Sequence, residues 1–98
     1  MAPTLLSAAE LERSLAALPR WRVENKALAR DYVFGDFVEA FSFMTACALR
    51  IQEMDHHPEW SNVYNKVAIR LTTHDAGGVT ARDAELAAKL ELLAGKSR

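Results

Sequence analysis

The sequence contains a single cysteine, Cys47, among its 98 residues. One cysteine excludes an internal disulfide and favours a reducing intracellular location. We therefore expect the protein in the cytoplasm, and also in the nucleus if the cell is eukaryotic. We interpret Cys47 as a small apolar residue of a helix rather than as a nucleophile.

The chain also lacks a charge excess and a long apolar run. Its 12 basic and 13 acidic residues give a net charge of −1, so the composition does not indicate a surface for nucleic acid or an anionic membrane. No apolar run approaches the roughly 20 residues that span a bilayer, and the N-terminal residues do not resemble a signal peptide. Because no repeat, linker or low-complexity segment is present, we expect a single domain, 1–98.

The first and third of three predicted helices begin with recognisable capping sequences. Ser7-Ala8-Ala9-Glu10 is a capping box, and Thr80-Ala81-Arg82-Asp83 places Asp83 where a second box would close. Leucines at helical spacing follow each start: Leu11, Leu15 and Leu18 in the first helix, and Leu86, Leu90 and Leu93 in the third. Pro19 and Gly95 are expected to end these helices.

The second helix is predicted over 37–54, opened by Asp36. Its apolar stripe has alternating steps of four and three residues: Phe37, Phe41, Met44, Ala48 and Ile51. A second row widens this surface: Ala40, Phe43, Cys47 and Met54. One small sheet covers less apolar surface than this, so the excess predicts an interface and a homo-oligomer, most simply a tetramer built from two dimers.

Strands are predicted between the helices. The segments 21–24 and 28–34 flank Asn25-Lys26, a plausible hairpin turn. The segment 63–73 alternates, with Val63, Val67, Ile69 and Leu71 on one face, and a turn within 62–65 would split it into two strands. The order α-β-β-α-β-β-α indicates an α+β fold, with a four-stranded antiparallel sheet and helices packed on one face.

The three histidines of the chain are His56, His57 and His74. Histidine gives and takes protons near neutral pH, so the cluster indicates acid–base chemistry, a metal site or purely structural hydrogen bonding. Metal-binding histidines usually stand at spacings where their side chains converge, and adjacent histidines converge poorly. Pro58 ends the helix and extends the chain at His57, while His74 follows a strand, where catalytic side chains are common.

These residues, with their neighbours, resemble the pterin-4a-carbinolamine dehydratases, whose animal members also act as the dimerisation cofactor of a hepatocyte nuclear factor. The resemblance covers nearly the whole chain. It rests on the spacing of His56-His57-Pro58, Tyr64, His74 and Asp83, and on these matched segments: Leu18-Pro19-x-Trp21, Phe37-x-x-Ala40-Phe41-x-Phe43-Met44, Asp55-His56-His57-Pro58-Glu59-Trp60, Asn62-Val63-Tyr64-Asn65-Lys66-Val67 and Leu71-x-Thr73-His74.

The resemblance implies a hydro-lyase of tetrahydrobiopterin recycling. Such an enzyme dehydrates 4a-hydroxytetrahydropterin to quinonoid dihydropterin and needs an acid and a base but no metal or cofactor. The resemblance assigns His56 and His74 to proton transfer and His57 to binding and assistance. It also implies that several residues lie at the substrate: Trp21, Pro58, Thr73 and Asp83. Core packing is an equal alternative for Trp21, and Trp60 is interpreted as core. We expect Asp83 to serve first as a helix cap.

One position departs from the family pattern. The family has a charged residue or histidine four positions before the first histidine, and this chain has Gln52 there. Gln52 can hydrogen-bond near the site but cannot act as a carboxylate. The alternative to an enzyme is a non-catalytic dimerisation or coactivator module that binds a helix of a partner protein. The complete histidine set favours the enzyme, because an adaptor has no use for it.

Overall fold

The structure is a computed structural model that describes residues 3–95; the first two and last three residues of the predicted domain 1–98 lie outside that range. Its helices and strands follow one another as α1 (Ala8–Ala17), β1 (Arg22–Glu24), β2 (Ala27–Val33), α2 (Phe37–Met54), β3 (Glu59–Val63), β4 (Lys66–Leu71) and α3 (Ala81–Ala94). A short 3₁₀ turn, His74–Ala76, precedes α3. This order confirms the predicted α-β-β-α-β-β-α fold.

The four strands form one antiparallel sheet in the order β1-β2-β4-β3. Asn25 and Lys26 connect β1 to β2 with φ angles of 50° and 63°. A type I′ hairpin turn requires this left-handed conformation at both of its central residues. Tyr64 and Asn65 connect β3 to β4. Asn62 supports this second turn, because its side-chain amide donates to the carbonyls of Tyr64 and Lys66 at 3.1 and 2.8 Å.

The helices pack against one face of the sheet, and the hydrophobic core lies between them. Alternate residues of the two central strands point into the core, as the period of two requires: Leu28, Tyr32, Val67, Ile69 and Leu71, all at most 1% exposed. Leu86 and Leu90 of α3 and Phe43 and Cys47 of α2 meet them. Within residues 3–95, none of the helices is long and apolar enough to span a membrane.

The structure corrects the predicted start of the third strand. The alternation was predicted from Val63, but β3 begins at Glu59 and ends at Val63, and the turn then separates it from β4. Val63 pairs with Lys66 across this hairpin and therefore lies on the opposite face from Val67. As a result Val63 is 72% exposed rather than buried. A turn inside an alternating sequence reverses the phase of the pattern.

The structure also corrects which row of α2 faces the core. The buried row is the one predicted as secondary, with Ile51 added: Ala40, Phe43, Cys47 and Ile51. Phe37 and Phe41, which headed the main predicted stripe, are 47% and 53% exposed. A similar shift occurs in α3, where Leu93 is exposed and Ala94 is buried instead. The helical pattern predicted these helices correctly, but it could not rank two apolar rows on one helix.

Candidate functional site

The first two histidines follow a tight helix end. The residue after α2, Asp55, adopts the left-handed conformation with φ 48° and ψ 47°. Its N–H donates to the carbonyl of Gln52 at 3.1 Å, and the N–H of His56 donates to that of Ile51 at 3.3 Å. These two bonds form a Schellman motif, which satisfies helical carbonyls that would otherwise be unpaired. The motif fixes the backbone of His56 relative to α2.

His56 is buried and is held by a carboxylate from another helix. Its Nε2 lies 2.5 Å from Oδ1 of Asp83, in the first turn of α3. The side chain of Asp83 is fully buried and that of His56 is 9% exposed. Because an ionised carboxylate only accepts hydrogen bonds, Nε2 of His56 is the donor. This bond fixes the tautomer and the ring plane. Nδ1 is the ring nitrogen that Asp83 does not hold.

The second oxygen of Asp83 completes a buried hydrogen-bond network. Oδ2 accepts from the hydroxyl of Thr73 and from the backbone N–H of Thr80, each at 2.8 Å. The two threonine hydroxyls also lie 2.8 Å apart. Asp83 therefore caps α3 and holds His56 at the same time, and both of its oxygens and both threonine hydroxyls have partners, as burial requires.

An open cleft of about 270 Å³ lies in front of the histidines. All three predicted catalytic histidines line it, together with residues from the same turns: Asp55, Thr72, Thr73, Asp75 and Arg82. His74 and His57 are exposed on this cleft, in contrast to His56. Nε2 of His57 lies 3.5 Å from Oδ1 of Asp55. The structure thus brings the three histidines together at one cleft, although His74 is distant from the other two in the sequence.

Four of the five predicted substrate-binding residues do not line the cleft. Asp83 is fully buried behind His56, and the other three lie elsewhere. Trp21 is buried in the core, in edge contact with Tyr32, and its Nε1–H donates to Oε1 of Glu91 at 3.0 Å. Gln52 lies exposed on the last turn of α2, and Pro58 is half-buried after His57. None of the three is among the described residues that line the cleft. For Trp21, the position in the core matches the packing alternative.

Sequence reasoning missed Arg82 and Asp55. Arg82 lines the cleft, and its Nη2 donates to the carbonyls of Met54 and Asp55 at 2.7 and 3.1 Å. The only signal for Arg82 was its place inside the second capping sequence. The left-handed conformation of Asp55 carries no sequence signal comparable to a glycine, although aspartate tolerates that conformation better than most residues.

Two other kinds of chemistry were considered for the described residues, metal binding and a reactive thiol at Cys47. Among residues 3–95, no three His, Cys, Asp or Glu side chains are arranged to hold a metal ion. Cys47 is fully buried in the core, and this burial raises the pKa of its thiol to about 12. A thiol with such a pKa is protonated at neutral pH and is a poor nucleophile. Cys47 therefore has the core role predicted for it.

Known proteins resemble the chain over nearly its full length. The family described as Pterin 4 alpha carbinolamine dehydratase matches residues 4–93. A protein of Solibacter usitatus (strain Ellin6076), provisionally named pterin-4-alpha-carbinolamine dehydratase, is 55% identical over 91 residues, or 93% of this chain and 96% of that protein. A protein of Rhodopseudomonas palustris (strain HaA2) with the same name is 53% identical over 93 residues, covering 93% and 92%.

Two solved structures share the fold. A crystal structure of a transcriptional coactivator/pterin dehydratase from Brucella melitensis superposes with a TM-score of 0.90 at 40% identity, over 94% of this chain and 100% of that chain. A pterin dehydratase-like protein, described as a RuBisCO assembly factor in the alpha-carboxysome, gives a TM-score of 0.65 at 25% identity, over 80% and 90%.

Proposed function

We propose that this chain, which belongs to the pterin 4 alpha carbinolamine dehydratase family, dehydrates a 4a-hydroxytetrahydropterin to a quinonoid dihydropterin, as in tetrahydrobiopterin recycling. The observation that carries the proposal is the meeting of His56, His57 and His74 around one cleft, with His56 oriented by Asp83.

The reaction needs two proton transfers and nothing else. One group protonates the hydroxyl on C4a, which leaves as water, and another removes the proton from N5 as the new double bond forms. Two imidazoles that line one cleft suit this chemistry, and each positioned transfer contributes about 10²–10⁴-fold to the rate. We assign the transfers to His56 and His74, and binding and assistance to the exposed His57.

Asp83 and Thr73 support this site from behind. Asp83 holds His56 through one oxygen and is itself held by Thr73 and Thr80 through the other. This arrangement follows the pattern in which a base is oriented by a third group. The reaction as written balances without an electron donor or a Lewis acid, so we propose that it needs no metal or cofactor. We place the activity in the cytoplasm.

The decisive experiment measures dehydration of a 4a-hydroxytetrahydropterin with and without the purified protein. We expect acceleration that a metal chelator does not change. His74→Ala should reduce kcat at least about tenfold, as expected for removal of a general acid or base, with an unchanged melting temperature because His74 is exposed. A folded His74→Ala protein with wild-type rate would refute the role of His74, and inactive wild-type protein would refute the dehydratase function.

We also propose that the chain is a homo-oligomer, a dimer of dimers, paired through α2. Four large apolar side chains of α2 are exposed along it: Phe37, Val38, Phe41 and Leu49. An exposed patch of this kind usually marks an interface. Light scattering at micromolar concentration tests the proposal, and a mass near the 10.9 kDa of one chain would reject it.

A second candidate function is a protein-binding module that acts as a coactivator. The observation in its favour is that the Brucella melitensis relative is described as both a transcriptional coactivator and a pterin dehydratase, combined with the exposed apolar row of α2. The two functions are separable. Phe41→Ser should abolish partner binding and leave dehydration unchanged. His74→Ala should lower the dehydration rate and leave partner binding unchanged.

A further inference from the structure

We propose that Arg82 is a positioning residue for the catalytic site, which it controls by holding the turn that carries His56. This inference rests on the proposed dehydratase function. Arg82 and Asp83 are neighbours in the first turn of α3. Arg82 binds the backbone at Met54 and Asp55, and Asp83 binds the side chain of His56.

The turn before His56 needs this support. Helix α2 ends in a Schellman motif whose left-handed residue is Asp55 rather than glycine, a conformation that is unfavourable for a residue with a Cβ. The motif satisfies the carbonyls of Ile51 and Gln52. Two further carbonyls of the turn, those of Met54 and Asp55, accept from one nitrogen of Arg82. A charged donor makes stronger hydrogen bonds than a neutral one.

The consequence for catalysis follows from the rigidity of the ring. His56 has its backbone N–H bonded to α2 and its Nε2 bonded to α3. The ring keeps one position only if the two helices keep their spacing at this point. Arg82 joins the end of α2 to the start of α3 at the residue that precedes His56. Small displacements of a catalytic group reduce rates strongly, by about 10²-fold for 1 Å.

Arg82 also lies on the cleft, so direct substrate binding is the competing interpretation. The two roles predict different kinetics. A positioning residue affects the chemical step and therefore kcat, because the substrate still finds the same contacts. A residue that contacts the substrate equally in the ground state and the transition state affects KM.

The test compares Arg82→Gln and Arg82→Lys with Arg50→Gln. Arg50 is a matched control, since it lies near the same end of α2 and pairs with Glu53 at 2.8 Å on the surface. We expect Arg82→Gln to lower kcat about tenfold with KM changed less than about twofold. Arg82→Lys, which keeps one charged donor, should recover part of the loss and guards against a variant that fails to fold. Arg50→Gln should behave as wild type.

A spectroscopic readout separates this inference from the proposed function. In protein labelled with ¹⁵N-histidine, Nε2–H of His56 should give a downfield proton resonance protected by burial. Arg82→Gln should broaden it through exchange with water, and Arg50→Gln should not. An inactive wild-type protein would defeat the dehydratase proposal, while this comparison would still decide the role of Arg82. Unchanged kcat and resonance with only a lower melting temperature would overturn the inference, as would a rise in KM above about tenfold with kcat kept.

Discussion

Residues 3–95 contain two capping boxes of similar sequence, and only one of the two borders the candidate site. At the start of α1, Ser7 N–H donates to Glu10 Oε1 at 2.8 Å and Glu10 N–H donates to Ser7 Oγ at 3.2 Å, on the surface. At the start of α3, Thr80 N–H donates to Asp83 Oδ2 at 2.8 Å, fully buried.

The difference lies in what the closing carboxylate does besides capping. Glu10 contacts its own box, whereas Asp83 uses Oδ1 to hold His56 and accepts the hydroxyl of Thr73 through Oδ2. A cap needs only one carboxylate oxygen, so the other oxygen is available to another element. The burial of the second box excludes water as a competing partner, so the same local helix signal becomes a fixed support for His56.

The largest expected difference between the boxes appears when each carboxylate is removed. Asp83→Ala leaves the partners of Asp83 without an acceptor in a buried place, and we expect a loss of roughly 3–5 kcal/mol and more than about tenfold in rate. Glu10→Ala should shift the urea midpoint only slightly and leave turnover per folded molecule unchanged, because water replaces the lost contacts.

Urea denaturation and turnover should be measured on the same samples. If Asp83→Ala does not fold, Asp83→Asn serves instead, since it keeps the shape but not the charge. Equal midpoint shifts for the two positions, with wild-type turnover in both, would show that the second box is only a cap. That result would agree with the sequence-based expectation that Asp83 serves the fold first.

Thr73→Val measures how much one hydrogen bond of the buried box contributes to stability, because it removes one hydroxyl and keeps the shape of the side chain. The Thr73 hydroxyl donates to the buried carboxylate, and a hydrogen bond to a charged group is worth about 1.5–3 kcal/mol. The neighbouring Thr72 offers a matched control, because its hydroxyl donates to the neutral carbonyl of Lys26 at 2.9 Å. Thr72→Val should cost about 0.5–1.5 kcal/mol. Equal losses would mean that the charge of Asp83 adds nothing to the network.

The two boxes also show what the sequence could and could not predict. Both were visible as spacings, since a cap depends on residues three positions apart. Burial of the second one was not, because it depends on how α3 packs on the sheet and α2. The same limit explains the misjudged row of α2. Local periodicity predicts that a helix exists, but two apolar rows on one helix, such as those of Phe41 and Phe43, differ only in their tertiary surroundings.

The residues of the candidate site that follow a sequence spacing were predictable. Those that depend on the backbone conformation were not. The histidines were found because histidine is rare in the chain and chemically specific. The left-handed Asp55 and the contact of Arg82 with the end of α2 depend on tertiary geometry that no local pattern encodes. Trp21 was ambiguous because a large aromatic residue suits both a pocket and a core, and only its tertiary contact with the buried Tyr32 places it in the core.

The smallest expected effect concerns pH at the exposed box. Hydrogen bonds from the backbone and hydroxyl of Ser7 lower the pKa of Glu10 below its usual value. A carboxyl whose pKa is lower in the folded state stabilises the fold above its unfolded pKa of about 4.3 and loses that effect as the pH falls through the folded pKa. Glu10→Gln keeps a side chain that can close the box but cannot ionise. The melting temperature of wild type should therefore exceed that of Glu10→Gln slightly near pH 7, and the gap should close as the pH falls through the folded pKa. Glu12→Gln, which removes an acidic side chain from the same helix but outside the box, is the control. A difference in melting temperature between wild type and Glu10→Gln that stays constant from neutral to acidic pH would mean that the charge of Glu10 does not contribute to the cap.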